Sequence, residues 1–160
     1  MKKTAWAFTL ALAMLGSHGL LGSERSLAAG SFGTADQAHA MLDRAVAALK
    51  ADQVKALQAF NDTHNKDFRD RDLFVFCFST ADGKFTAYEM PVLIGADIRK
   101  FKLYGEPMGQ RAYDAVREAP EGNVVSIDYQ MAKPDEKKPS AKEALEARVG
   151  EQACGVSYFK

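Results

Sequence analysis

The chain has 160 residues, of which 47% are hydrophobic and 26% are charged, a composition typical of one globular domain with a substantial core. Lys plus Arg and Asp plus Glu each total 21. This balance argues against nucleic-acid binding, which depends on clustered basic residues. The sequence also lacks a basic amphipathic helix of the kind that lies on an anionic membrane.

The first 28 residues have the pattern of an export signal. Lys2 and Lys3 precede an uncharged apolar run over residues 5–15, and Ser26-Leu27-Ala28 places small residues at the −3 and −1 positions of a cleavage site. An uncleaved membrane anchor is the alternative, although His18 and three glycines interrupt the run. We therefore expect a signal peptide over residues 1–28, a domain over residues 29–160, and a periplasmic or secreted protein without a membrane segment after cleavage.

A long helix opens the expected domain. Thr34 followed by Gln37 forms a capping box, and apolar residues then recur at helical spacing as far as Phe60. A single helix of this length would be roughly 40 Å long. The Asp-rich stretch over residues 62–72 lacks the pattern of a calcium-binding loop and is interpreted as a polar connection.

The rest of the chain alternates strand and helix signals. An apolar run over residues 73–78, the turn signal Asp82-Gly83 and residues 84–89 predict a hairpin, and Pro107 favours a helix from Glu106 to about Glu118. Strands are predicted over residues 124–129 and 153–159. Residues 143–149 favour helix by composition and strand by position. This order of elements predicts an α+β fold with an antiparallel sheet.

Cys77 and Cys154 both lie within predicted strands. An exported protein meets an oxidising compartment, where two thiols can form a disulfide. The alternative is a pair of buried free thiols that act as small hydrophobic side chains. A metal site is not indicated, because two isolated cysteines without nearby histidines provide no ligand spacing.

The chain resembles the single Cache domains of bacteria, in particular the small exported proteins built from one such domain. The resemblance extends over most of the expected domain, at residues 40–50, 56–61, 68–77, 82–87, 91–97 and 148–160. It implies a PAS-like five-stranded antiparallel sheet with a long N-terminal helix, and a cavity on one sheet face for a small organic molecule, often a carboxylate. In that fold the first and last strands are neighbours, which favours a Cys77–Cys154 disulfide.

The resemblance also suggests which residues would line the cavity. The expected ligand-binding residues are Tyr88, Arg99, Tyr129, Met131, Lys142 and Phe76. Alternation along residues 125–131 places Tyr129 and Met131 on one face of a strand, so that the basic group must come from another element. As alternatives, Tyr129 is a core tyrosine, and Lys142 and Arg99 are surface charges. The sequence departs from the family pattern at Tyr88, around Met131 and over residues 143–146.

We therefore expect a binding domain and no enzyme, with no cofactor. His39 and His64 have no nearby nucleophile or orienting carboxylate in the sequence, so a catalytic triad has no support. The alternative is a protein-interaction module that presents its long helix to a receptor or to a second copy of the chain.

Overall fold

The computed structural model describes residue 30, residues 32–134 and residues 136–160. The expected signal peptide lies outside the described residues. The described part contains three α-helices and six strands: α1 (Ala35–Ala51), α2 (Gln53–Asn61), β1 (Arg69–Asp70), β2 (Leu73–Ser79), β3 (Phe85–Ala87), α3 (Met108–Glu118), β4 (Val124–Ala132), β5 (Pro139–Val149) and β6 (Gln152–Phe159). No helix in these residues is long and apolar enough to cross a membrane.

The N-terminal helix begins as predicted but is divided in two. The Thr34 side chain accepts a hydrogen bond from the backbone N–H of Gln37, and the Gln37 side chain accepts one from Thr34 in return. The prediction of one continuous helix was wrong at Asp52, which has an extended backbone and ends α1. The Asp52 carboxylate then accepts a hydrogen bond from the backbone N–H of Lys55 and so caps α2.

The sheet has the predicted antiparallel, PAS-like form. Five strands follow one another in the order β3-β2-β6-β5-β4, and the two-residue strand β1 adds to the edge of β2. The first long strand, β2, therefore lies beside the last strand, β6. Residues 143–149 form a strand despite their helix propensity. They belong to β5, which pairs with both β4 and β6.

The disulfide is formed between directly opposed residues of β2 and β6. Cys77 and Cys154 are register partners with a Cα–Cα distance of 4.0 Å, and their sulfur atoms are bonded. Both side chains are fully buried. The bridge therefore fixes the pairing of the two strands at the centre of the sheet.

The two faces of the sheet bury different cores because strand side chains alternate. The helix face packs against α1 and α2 through the following buried residues: Val75, Cys77, Leu145, Ala147, Cys154 and Val156. The opposite face, called the cavity face below, packs against α3 and the segment between β3 and α3. Its buried residues include Phe76, Phe78, Ala144 and Ala153.

Candidate functional site

A cavity of about 70 Å³ lies between the cavity face and the segment over residues 88–108, which covers it. The sheet contributes Phe74 and Phe76 from β2, Tyr129 and Met131 from β4, Lys142 and Glu146 from β5, and Ser157 from β6. The covering segment contributes Tyr88, Glu89, Ile98, Phe101, Leu103 and Met108, and Phe85 comes from β3. The lining is thus mainly apolar and aromatic, with a few polar groups, as expected of a small-molecule site.

Five of the six predicted residues line this cavity. They are Phe76, Tyr88, Tyr129, Met131 and Lys142. Ser126, Asp128 and Gln130 are exposed on the other side of β4, as the alternation predicts. The sequence pattern therefore places the correct face of β4 inward.

Arg99 is not brought together with the other five. Its guanidinium donates hydrogen bonds of 2.8 Å to both carboxylate oxygens of Asp97 and to the backbone carbonyl of Asp82. It also stacks on the Tyr113 ring, 5.1 Å from the centroid. These contacts attach the covering segment to the β2–β3 turn and to α3, so that Arg99 supports the wall of the cavity from outside.

Lys142 supplies a buried cation at one end of the cavity. Its side chain follows the apolar wall, its residue is only 6% exposed, and the ammonium lies 4.5 Å from the centroid of the Phe159 ring. Burial lowers the pKa of Lys142, whereas the nearby charges of Asp72 and Glu89 raise it. Within the described part of the chain, the ammonium forms no ion pair with a carboxylate. Asp72 and Glu89 are near but beyond ion-pair distance, so an anion bound at this end of the cavity would be the first direct partner of the ammonium.

Two tyrosine hydroxyls accompany the cation. Tyr129 lies directly opposite Lys142 in the β4–β5 register. Burial raises the pKa of Tyr129 well above its usual range, although a hydrogen bond with Ser157 acts in the other direction. Burial also raises the pKa of Tyr88 to about 12. Both hydroxyls thus stay protonated at physiological pH and can donate to an acceptor on a ligand.

Sequence reasoning missed Glu146, which is fully buried and lines the same cavity. Neither of its carboxylate oxygens has a hydrogen-bond partner, and burial raises its pKa to about 8. The available signal was the strand period: once residues 142–146 form a strand, Lys142, Ala144 and Glu146 share one face. Glu146 therefore lies on the face that Lys142 also occupies, and it lines the same cavity.

No cluster of three or more acidic, histidine or cysteine side chains suitable for a metal ion occurs within the described ranges. The covering segment contains two short 3₁₀ turns, Pro91–Leu93 and Ile98–Lys100. Of the residues in these turns, Ile98 lines the cavity. The site is therefore an apolar cavity whose ionisable or directing groups are one amine, two phenols, the Ser157 hydroxyl and one carboxyl, with Glu89 at the rim.

Comparison with known proteins identifies the fold. No family model and no curated protein matches the sequence. Among solved structures, a methyl-accepting chemotaxis protein from Vibrio parahaemolyticus is similar with a TM-score of 0.58 and 14% identity, covering 78% of this chain and 86% of that one. A periplasmic sensor domain of a chemotaxis protein is similar with a TM-score of 0.54 and 16% identity, covering 78% and 88%.

A third structure, described as the basis for carboxylic acid recognition by a Cache chemosensory domain, gives a TM-score of 0.57 at 14% identity. The alignment covers 78% of this chain and 91% of that chain. At these identities the likeness concerns the fold. The chain has the PAS-like fold of Cache chemosensory domains.

Proposed function

We propose that this chain is an exported binding domain that takes up a small organic acid in the cavity and acts as a sensor or carrier for it. The observation that carries the proposal is the buried ammonium of Lys142, which faces an apolar cavity without an ion-pair partner among the described residues. A buried cation is costly unless it is paired, and a ligand carboxylate would pair it. The similar Cache domain described as recognising carboxylic acids supports the same ligand class.

The phenols would orient the acid. Tyr129 lies across from Lys142, and Tyr88 reaches the cavity from the covering segment. A carboxylate has two oxygens and accepts several hydrogen bonds, so an ammonium and a phenol can share it. Phe76 and Met131 would form the wall beside the carbon chain of the ligand. We leave Arg99 out of the site because Asp97 already occupies its guanidinium.

The test is a binding series on the purified protein after its ligand has been removed by unfolding and refolding. Calorimetric titration with straight-chain carboxylates of two to six carbons should find at least one that binds. Lys142→Met, which keeps the apolar stem, should weaken the binding of that carboxylate by about 1.5–3 kcal/mol, the usual range for a hydrogen bond to a charged group. Tyr129→Phe should cost about 1 kcal/mol.

The matched control is Lys138→Met, which removes an exposed lysine just before β5 and should leave affinity unchanged. Equal affinities in the native protein, the Lys142 variant and the Tyr129 variant would show that the acid does not bind in this cavity. If no acid binds at all, the interaction-module alternative is favoured. Its surface would be the exposed side of α1, whose 17 residues extend for about 26 Å.

A further inference from the structure

The Lys142 end of the cavity adjoins an open groove of about 780 Å³. The cavity and the groove share four lining residues, which are Phe74, Glu89, Met131 and Lys142. Asp72, in the connection between β1 and β2, lines the groove but not the cavity. Lys142 thus lies where the two spaces meet, so charges in the groove act on the cation of the site.

Only one carboxylate oxygen of Asp72 has a hydrogen-bond partner. Its Oδ1 atom accepts a hydrogen bond of 2.6 Å from the backbone N–H of Gly33. Its Oδ2 atom is buried and receives no hydrogen bond within the described part of the chain. A buried carboxylate oxygen without a donor costs free energy unless a nearby cation compensates it. Asp72 is therefore held in place by one oxygen and needs a positive charge near the other.

Two other cations line the groove, and both are engaged elsewhere. The Arg71 guanidinium donates hydrogen bonds to the Asp70 carboxylate, to a side-chain amide and to two backbone carbonyls. The Lys133 ammonium lies over two aromatic rings, 5.1 and 5.6 Å from their centroids. Neither forms an ion pair with Asp72 among the described residues. Lys142 is thus the cation that is left to compensate Asp72.

Lys142 and Asp72 influence each other without direct contact. Burial lowers the pKa of Lys142, and the charge of Asp72 is the larger of two charge effects that raise it. The smaller effect comes from Glu89, whose carboxylate lies 3.8 Å from the Arg69 guanidinium. The ammonium in the empty cavity is therefore compensated from within the protein, and mainly by Asp72.

We propose that Asp72 is the internal counter-ion of Lys142 and that it competes with the ligand carboxylate for this ammonium. The inference rests on the proposed function and names a residue that sets the affinity of the acid site. Two carboxylates that approach one ammonium repel each other, so a ligand acid binds against the field of Asp72. The hydrogen bond from Gly33 holds Asp72 in position, and turning the side chain away would break that bond.

Asp72→Asn tests the competition. Asparagine has nearly the same shape, and its amide oxygen can still accept the hydrogen bond from Gly33, so the variant removes the charge alone. Calorimetric titration with acetate, butyrate and hexanoate at pH 7 should give affinities higher than those of the native protein by about threefold, the size expected for one partly screened charge. A residue with a merely structural role would instead weaken binding or leave it unchanged when replaced.

A second measurement needs no ligand. NMR of isotope-labelled lysine side chains gives the pKa of Lys142, whose signal is the one missing from Lys142→Met. Asp72→Asn should lower this pKa relative to the native protein, because the charge that raises it is gone. Asp43→Asn, an exposed residue of α1 on the other side of the sheet, removes the same net charge and is the matched control. It should leave both the affinity and the pKa unchanged.

The outcomes separate the two proposals. Acid binding by Asp72→Asn that is equal to or weaker than that of the native protein, or an unchanged pKa of Lys142, would overturn the role of Asp72 and leave the proposed acid site standing. Asp72→Glu keeps the charge, so a rise in affinity equal to that of the Asn variant would also overturn it. Failure of every carboxylate with both the native protein and Asp72→Asn would overturn both proposals. Binding by the Asn variant alone would support both.

Discussion

Burial of Glu146 predicts an unusual pH dependence of folding. The carboxyl has no hydrogen-bond partner in the folded protein, and burial raises its pKa to about 8 from an ordinary value of 4.5. In the unfolded chain the same group is hydrated and titrates near its ordinary value. Between these two pKa values the folded protein holds a proton that the unfolded chain has released. Stability is therefore fully present below about pH 4.5 and is lost as the pH rises towards 8.

The magnitude follows from the size of this window. Each pH unit inside it favours the unfolded state by about 1.4 kcal/mol. Between pH 5 and pH 8 the free energy of unfolding should fall by about 3–4 kcal/mol, since the two ends of the window are only partly titrated. The stability of a small domain is itself about 5–15 kcal/mol, so the loss is easily measured.

Urea unfolding of the ligand-free protein at pH 5, 6, 7 and 8 is the assay, with Glu146→Gln as the comparison. Glutamine has nearly the same shape and does not ionise, so the difference between the two proteins isolates Glu146. We expect the free energy of unfolding of the variant to increase relative to that of the native protein at each step from pH 5 to pH 8. A difference that stays constant from pH 5 to pH 8 would show that the carboxyl does not titrate in this window, and would refute the reasoning.

The pKa of Glu143 is shifted in the opposite direction from that of Glu146, so Glu143→Gln is the control in the same assay. Hydrogen bonds from Tyr158, together with Ser126 and Lys160, lower the pKa of Glu143. Its contribution to stability is thus present above the unfolded pKa and lost as the pH falls through the lower folded pKa. The Glu143 variant should therefore parallel the native protein between pH 5 and pH 8.

Three further predictions concern the sheet and the chain start. Replacing Cys77 and Cys154 together by Ala should lower the free energy of unfolding by about 4 kcal/mol, the chain-entropy value for a loop of 77 residues, and a loss below 1 kcal/mol in urea unfolding would contradict this. Gly155→Ala should lower the unfolding free energy by about 1–3 kcal/mol, because its Cβ would crowd Phe76, Glu146 and the Leu145 carbonyl. Unchanged stability in urea unfolding would show that these neighbours can move aside without cost. Mass spectrometry of the exported protein should give a chain that starts at Ala29, and an intact Met1 would contradict cleavage.

Local signals in the sequence predicted most of the fold. The Thr34 capping box, the Asp82-Gly83 turn and the alternation along β4 each depend on residues close in the chain, and each is found in the structure. The break at Asp52 was missed because apolar residues recur on one face on both sides of it. A single residue with an extended backbone interrupts the hydrogen bonding of the helix without disturbing that pattern.

The site was harder to predict because its contacts are long-range. Residues 143–149 have helix-favouring side chains, yet pairing with β4 on one side and β6 on the other makes them a strand. That pairing decides which charges are buried. Arg99 could not be placed from sequence, since its partners Asp82 and Tyr113 come from a turn and from α3.

The register of β5 gives two glutamates opposite properties. Glu143 and Glu146 are three residues apart, so they point to opposite faces of the sheet. Glu143 receives hydrogen bonds near the surface and its pKa falls, whereas Glu146 receives none in the interior and its pKa rises. A shift of one residue in pairing would exchange them and would also take Lys142 out of the cavity.

The disulfide helps to hold the register on which the cavity depends. Cys77 and Cys154 are paired on the helix face, and the adjacent register pair on the cavity face is Phe76 with Gly155. Fixing the first pair thus fixes the second. Because Gly155 has no side chain, the Phe76 ring and the Glu146 stem can occupy the space beside it. A covalent bond on one face of the sheet therefore constrains the position of an unpartnered acid on the other. The same constraint fixes the lining of the cavity before a ligand arrives, which lowers the entropic cost of binding.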